Sequence, residues 1–256
     1  MHSDIFVLFL DILGFSKLVL NNEPKELKQV YDSEIHQTIS ASTLMAPAFF
    51  QSGETAKIIS TREGKLVDVQ QNQLNLHVMS DSLVAWTNSS DLDALKTISQ
   101  FTAVYMSMTF ILGLPHRGAI SKGDIQLVNL PLNGNPQFNT VGSGVIRAHK
   151  YEYGQEWMGC VIDEYCFENF SNEQRYQCLS DHTYPIVNYD TPYKEDAKNR
   201  SSMVIDWTRF DMGIKEDISF FEEQFQRHHK SISGTVQCKI DNTHKFYMAI
   251  HRKHNA

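Results

Sequence analysis

An unbroken apolar run, Ile5-Phe6-Val7-Leu8-Phe9-Leu10, stands near the start of the chain. It has the pattern of a strand buried on both faces. The run leads into Asp11-Ile12-Leu13-Gly14-Phe15-Ser16, a turn that opens a helix. Leu27, Val30, Glu34, Ile35 and Ile39 then fall three or four apart, which predicts a helix over about 24–39 with its apolar members on a core face. Residues 43–70 are less regular, with a hairpin expected around Arg62-Glu63-Gly64-Lys65. Residues 74–78 and 83–86 read as two paired strands joined by the tight connection Met79-Ser80-Asp81-Ser82. Asp91 is placed to cap a long helix whose stripe is Leu92, Leu95, Ile98, Thr102, Tyr105, Met108 and Leu112, stopped by Gly113 and Pro115.

A strand from Arg117 to about Val128 follows, then a Pro/Gly/Asn loop over 129–140, a helix over 141–153 and a short strand at 160–162. The order is βαββαβ with one extra helix before the last strand. It predicts an α+β, ferredoxin-like fold: a mostly antiparallel sheet with helices packed on one face. Beyond residue 163 the signals weaken. Residues 185–189 and 203–207 look like strands, and 216–229 like a helix that runs from acidic to basic, the order a helix dipole favours. No repeat or linker interrupts the chain. The expectation is one domain over 1–256, with a core at about 5–165 and a C-terminal α/β extension at about 166–256.

Composition narrows the function. With 23 Lys and Arg against 30 Asp and Glu, the net charge is −7 and no basic block is long, so a nucleic-acid partner is not expected. The longest apolar run is far short of the roughly 20 residues of a bilayer span, and the N-terminus lacks the pattern of a signal peptide. None of Cys160, Cys166, Cys178 and Cys238 forms a CxxC pair or a zinc-spaced cluster. Four reduced thiols in a cytoplasmic protein, with no membrane association, are the expectation.

Asp11 ends the first strand, and Asp81 lies between two strands that should neighbour it. If the strands align, both carboxylates emerge at one sheet edge and suit Mg²⁺ or Mn²⁺. Each alone also reads as a turn residue capping a backbone amide, the commoner role of an isolated Asp. Gly14-Phe15-Ser16 offers free backbone N–H groups to a polyphosphate, or is a plain strand-to-helix turn. Gly142-Ser143-Gly144 opens a helix that carries Arg147 and Lys150, either functional cations or a solvated face.

Taken together, these residues resemble the class III nucleotide cyclases. Residues 11–16 are similar to their DIxGFT opening, and Ser80-Asp81 falls at their GD. Arg117-Gly-Ala-Ile-Ser-Lys-Gly123 is similar to RxGIHxG, and the stretch from Gly142 to Lys150 with Glu152 to GxxVNxAxRxE. The SDS in place of GD, the glycine-led helix and the C-terminal segments around 184–187 and 204–207 resemble the bacterial pyrimidine cyclases of Pycsar antiphage defence.

The resemblance implies two divalent metals, Mn²⁺ or Mg²⁺, on Asp11, Asp81 and the Ile12 carbonyl. Gly14, Phe15 and Ser16 would hold the β- and γ-phosphates of a nucleoside triphosphate. It also implies a head-to-tail homodimer, with the metal pair from one subunit and the Lys150 helix from the other. A stand-alone enzyme would signal through a separately encoded receptor for its cyclic nucleotide. Two positions depart from the family pattern: Ile146 replaces the Asn that orients the ribose, and Lys150 replaces the Arg that steadies the transition state. Lys lacks the bidentate fork of Arg, and Arg147, on the same helix face, is expected to share the role. The base-recognition positions fall on His77 and Asn139, which match neither purine pattern. The expected reaction is UTP to 3′,5′-cyclic UMP and pyrophosphate. CTP, a purine triphosphate, and a silent nucleotide-binding regulator are the alternatives.

Overall fold

A computed structural model of the chain describes residues 2–50, 58–61, 64–67, 74–129, 138–210 and 212–255. Strand β1 (His2–Ile12) leads into α1 (Phe15–Asn21), α2 (Pro24–Gln29), a π-helical segment at Val30–Ile35 and α3 (His36–Phe50). The expected hairpin forms between β2 (Ile58–Thr61) and β3 (Gly64–Val67); Arg62 and Glu63 lie outside the described residues. Then come β4 (Leu74–Met79), β5 (Ser82–Thr87), α4 (Leu92–Ile111), β6 (His116–Asn129), β7 (Phe138–Val141), α5 (Ser143–Tyr153) and β8 (Gly159–Ile162). The remaining stretch supplies α6 (Asn172–Ser180), β9 (Ile186–Asn188), β10 (Met203–Ile205), α7 (Ile218–Gln226) and α8 (Gly234–Asn255).

One mixed sheet runs in the order β4-β5-β1-β6-β8-β10-β9, with β7 paired to β6. Its first four strands are antiparallel neighbours, the ferredoxin-like arrangement that the βαββαβ order predicts. Helix α5 then crosses over to β8, which runs parallel to β6. The C-terminal strands continue the same sheet.

Side chains alternate across a sheet. Leu10 pairs with Gly118 and Asp11 with Arg117, so the odd-numbered residues of β1 and β6 share one face. On that face Phe9 meets His149 of α5 edge-on, with ring centroids 5.3 Å apart. On the other face His116 packs against Tyr105 of α4 at 5.1 Å. Helices therefore cover both faces, which corrects the expectation of one. The physical reason lies in the first apolar run: every residue from Ile5 to Leu10 is buried, and such a strand needs cover on both sides. Helix α5 lies very close to the sheet. A Cβ on Gly144 would stand 2.6 Å from Val7 Cγ2, and one on Gly123 would stand 2.6 Å from the Gly144 nitrogen. Only glycine fits at these two positions.

Several boundaries differ from the sequence reading. The helix expected over 24–39 is broken by the π-helical segment and continues to Phe50, although Val30 and Ile35 are buried and Leu27 and Ile39 pack beside them, as expected. Val141 belongs to β7, not to the following helix. The acidic-then-basic helix ends at Gln226 because His228 and His229 adopt a left-handed backbone, each with φ 57°. Its basic end has another task. Arg227 donates to the Ile111 carbonyl, the His228 imidazole lies 2.8 Å from the Leu112 carbonyl, and Lys230 Nζ donates to the Gly113 carbonyl at 2.7 Å. Three consecutive carbonyls at the end of α4 are thus capped by cationic or imidazole side chains, where the dipole of a 20-residue helix is negative.

Candidate active site

The β1–β5 register places Asp11 opposite Ser82, one residue from Asp81 in the β4–β5 turn. The Ile12 N–H donates to the Asp81 carbonyl at 3.0 Å, which stitches the two Asp-bearing segments together. Ser82 Oγ donates to Asp11 Oδ1 at 3.4 Å. The Asp11 carboxyl is raised from 3.8 to about 7, first by burial, then by the negative charges of Glu152 and Asp81, with Arg117 and Ser82 opposing. Three carboxylates from three elements thus act on one spot. Among the described residues no group of three or more His, Cys, Asp or Glu side chains forms a ready metal cage. Two carboxylates beside main-chain carbonyls, left short of positive charge, are nonetheless a donor set that a hard divalent cation fits.

Glu152 reaches this site from α5. It is buried and accepts from Arg117 Nε at 2.5 Å, while Arg117 Nη1 donates to the Gln155 carbonyl at 2.7 Å. The motif residues Arg117 and Glu152 are therefore an ion pair that ties α5 to β6 directly behind Asp11. Tyr31, on the π-helical segment, donates its hydroxyl to the Ser80 carbonyl at 2.8 Å. Burial and the Asp81 carboxylate push this phenol up. Ser80 has φ 51°, a left-handed conformation in which an L-residue is strained.

The chain bends at Gly14, with φ 80°, into α1; Phe15 is half-buried and Ser16 exposed. His77 lies on β4, half-buried, with its imidazole pushed down by burial and its Nδ1 buried without a hydrogen-bond partner. Asn139 is exposed on β7. Thr140, beside it, donates to the Met79 sulfur at 3.6 Å, so the β7 arm lies against β4 two residues from His77.

The α5 cations lie elsewhere. Arg147 Nε and Nη2 both donate to Asp163, at 3.1 and 2.8 Å, and its guanidinium stacks on Tyr165 at 4.3 Å. Asp163 is buried and also accepts from Ser121 and Tyr151. Lys150 is exposed and lines an open cleft of about 670 Å³ with His149, Lys194 and Lys198, which includes neither Asp11 nor Asp81. Ile146 is 57% exposed on the same helix. All four cysteines are free, three of them buried. Among the described residues no helix is long and apolar enough to cross a membrane.

No family model and no curated protein matches this chain. Among solved structures, it is similar to the guanylyl cyclase Cya2, at 10% identity and a TM-score of 0.50, over 80% of this chain and 93% of that one. It is also similar to a bacterial light-regulated adenylyl cyclase, at 11% identity and a TM-score of 0.50, over 92% of this chain and 55% of that one. At these identities the likeness is one of fold: the chain has the fold of class III nucleotide cyclase catalytic domains.

Proposed function

We propose that this protein is a metal-dependent nucleotide cyclase that converts UTP to 3′,5′-cyclic UMP and pyrophosphate, a second-messenger signal in antiphage defence read by a separately encoded receptor. The observation that carries the reading is the meeting of Asp11 and Asp81 at adjacent strand ends of a cyclase fold, with Glu152 adding to the charge on Asp11. These two carboxylates, with the Ile12 carbonyl, would hold Mg²⁺ or Mn²⁺. Bound there, the metals would supply Lewis-acid charge to the 3′-hydroxyl and the phosphates.

The reaction is an in-line displacement. The 3′-oxygen bonds to the α-phosphorus, the bond to the bridging oxygen of pyrophosphate breaks, and the hydroxyl proton passes to solvent. The chain's own part is to position and to balance charge. The turn at Gly14-Phe15-Ser16 holds the terminal phosphates. His77, whose imidazole burial pushes down and whose Nδ1 has no partner, would face the base edge with Asn139. A site built to pair one base edge rejects the mismatched edge, because its buried groups are left unpaired. The exposed position of Lys150, away from its own Asp pair, suits a head-to-tail dimer in which it serves the partner's site. Arg147, engaged by Asp163, positions α5.

The test is incubation of the purified chain with Mn²⁺ and each of the four ribonucleoside triphosphates, with products identified by mass. Cyclic UMP as the main product supports the reading, a preference for CTP corrects only the base, and a purine product defeats the pyrimidine assignment. No product from any triphosphate favours the silent regulator. Mixing Asp81→Asn and Lys150→Ala chains should restore activity if sites are shared between subunits. A fully active monomer would refute the shared site.

A further inference from the structure

Ser80 and Asp81 close the hairpin between β4 and β5, since Met79 pairs with Ser82. Ser80 stands first in that loop with φ 51°, a place where a two-residue hairpin favours glycine. A serine holds this conformation against a steric cost, so contacts from outside the loop must stabilise it. Packing from below does not. A void of about 10 Å³, about the room of one water, lies between the loop and Ile35, Tyr105 and His116.

Two hydrogen bonds hold the loop instead. The Tyr31 hydroxyl donates to the Ser80 carbonyl at 2.8 Å, and the Ile12 N–H donates to the Asp81 carbonyl at 3.0 Å. Peptide groups are planar, so these two carbonyls define the two planes that flank the Asp81 Cα. Holding both planes fixes the φ and ψ of Asp81, and with them the direction in which its carboxylate leaves the chain. One plane is tied to the backbone of β1, a bond that does not depend on a side chain. The other depends on Tyr31.

Tyr31 owes its reach to an irregularity. It lies in the six-residue π-helical segment Val30–Ile35, where the His36 N–H donates to the Tyr31 carbonyl, five residues back. Wide turns of this kind are frequent at functional sites. Val30 and Ile35, at the two ends of the segment, are buried, and Tyr31 itself is half-buried. The phenol is thus carried on an anchored base rather than on a free loop.

We infer that Tyr31 is a positioning residue: its hydroxyl clamps the Ser80–Asp81 loop and so aims the Asp81 carboxylate at the Asp11 site. That the aimed carboxylate binds a metal rests on the cyclase reading; the clamp itself does not.

The clamp is tested without metal by amide hydrogen exchange on the full chain, read at Ile12, whose N–H is the second tie. Tyr31→Phe keeps the ring and removes only the hydroxyl. It should speed exchange at Ile12 about fivefold, the weight of one hydrogen bond, and leave Leu8 in the middle of β1 unchanged. Adding Ser80→Gly to Tyr31→Phe should return Ile12 toward the wild-type rate, since glycine keeps this backbone without a clamp. The control Tyr176→Phe, at an exposed tyrosine of α6, should change nothing. Wild-type exchange at Ile12 in Tyr31→Phe overturns the clamp. So does an equal rise at Ile12 and Leu8, which would make Tyr31 a contributor to global stability alone, and so does a failure of Ser80→Gly to restore protection.

The second arm is a Mn²⁺ titration of turnover with the preferred triphosphate. Tyr31→Phe should raise the Mn²⁺ concentration for half-maximal rate about fivefold, and excess Mn²⁺ should recover the rate. A lower rate that excess Mn²⁺ does not recover, at an unchanged Mn²⁺ requirement, would place Tyr31 on the substrate and overturn the positioning role. The two readings fail separately. A chain that turns over no triphosphate but shows the exchange pattern refutes the cyclase and keeps the clamp. An active enzyme whose Tyr31→Phe variant has wild-type exchange and Mn²⁺ requirement does the reverse.

Discussion

Replacing Asp11 with Asn should abolish cyclisation and yet make the metal-free fold more stable. A carboxyl held at about 7 instead of 3.8 penalises the ionised folded state by about 4 kcal/mol when fully expressed, since each tenfold change in proton affinity is about 1.4 kcal/mol. Asp11 is only partly buried, and solvent screening reduces this to about 2 kcal/mol. The sign follows from linkage. The folded state holds the proton more tightly than the unfolded chain, so the penalty is nearly absent below about pH 4 and complete above about pH 7. Asp11→Asn removes the ionisable group and little else, because the hydrogen bond it weakens, from Ser82 Oγ, is already long at 3.4 Å. Urea unfolding with a chelator present should show the variant ahead by about 2 kcal/mol at pH 8 and by about 0.5 kcal/mol at pH 4.5. Saturating Mn²⁺ should reverse the order, because the metal stabilises only the chain that binds it. A variant no more stable than wild type at pH 8, or a gain that is equal at both pH values, would refute the electrostatic account. Near-normal turnover of the variant at saturating Mn²⁺ would refute the metal assignment.

Arg117→Met should destabilise by about 3–5 kcal/mol in urea, since it leaves Glu152 buried without its cation. Adding Glu152→Leu should recover much of that loss, and a coupling below about 0.5 kcal/mol in the double-mutant cycle would show that the pair is not a unit. Ser80→Gly should stabilise by about 1 kcal/mol, because φ 51° is strained for Ser and free for Gly; a loss on thermal unfolding would contradict the turn geometry. Asp91→Ala should cost about 1 kcal/mol, since the Asp91 side chain accepts from the Ala94 N–H at 2.8 Å at the head of α4, and Asp91→Ser should cost little. Equal stability of the Ala and Asp chains would show that the cap contributes nothing.

What could be read from the sequence follows from which signals are local. The strand from Ile5 to Leu10, the capped helix from Asp91 and the Met79–Ser82 turn each carry their own pattern, and each formed where expected. The same pattern in β1 already implied cover on two faces, so the one-sided packing conflicted with the apolar run itself. Helices α6 and α8 also carry signals in the sequence. Ser171 and Gln174 form a reciprocal capping box at the head of α6. In α8, Ile240, Thr243, Tyr247 and Ile250 are all buried and fall three or four apart, but a polar background hides the stripe. The π-helical segment has no such signal. Its place is set by tertiary contacts, such as Tyr31 reaching Ser80 across the fold.

The site divides along the same line. Asp11 and Asp81 were legible because strand ends in a known order converge whatever the side-chain details. Arg117 and Glu152 stood in two separate motifs, and nothing in either shows that they meet. Their pairing depends on how far α5 slides along the sheet, which is set by the contact of Gly144 with Val7 and Gly123. The position of Lys230 depends on a longer chain of causes. A left-handed backbone at His228 and His229 ends α7 and turns the chain back onto the end of α4. Only that reversal carries α8 to the Gly14 turn. In the sequence the basic cluster stands at the end of an acidic helix, where it matches the dipole of that helix. The dipole it serves is that of α4, and the residue that joins this cap to the Gly14 turn is Lys230, which donates to the Gly113 carbonyl while its stem lies beside Gly14.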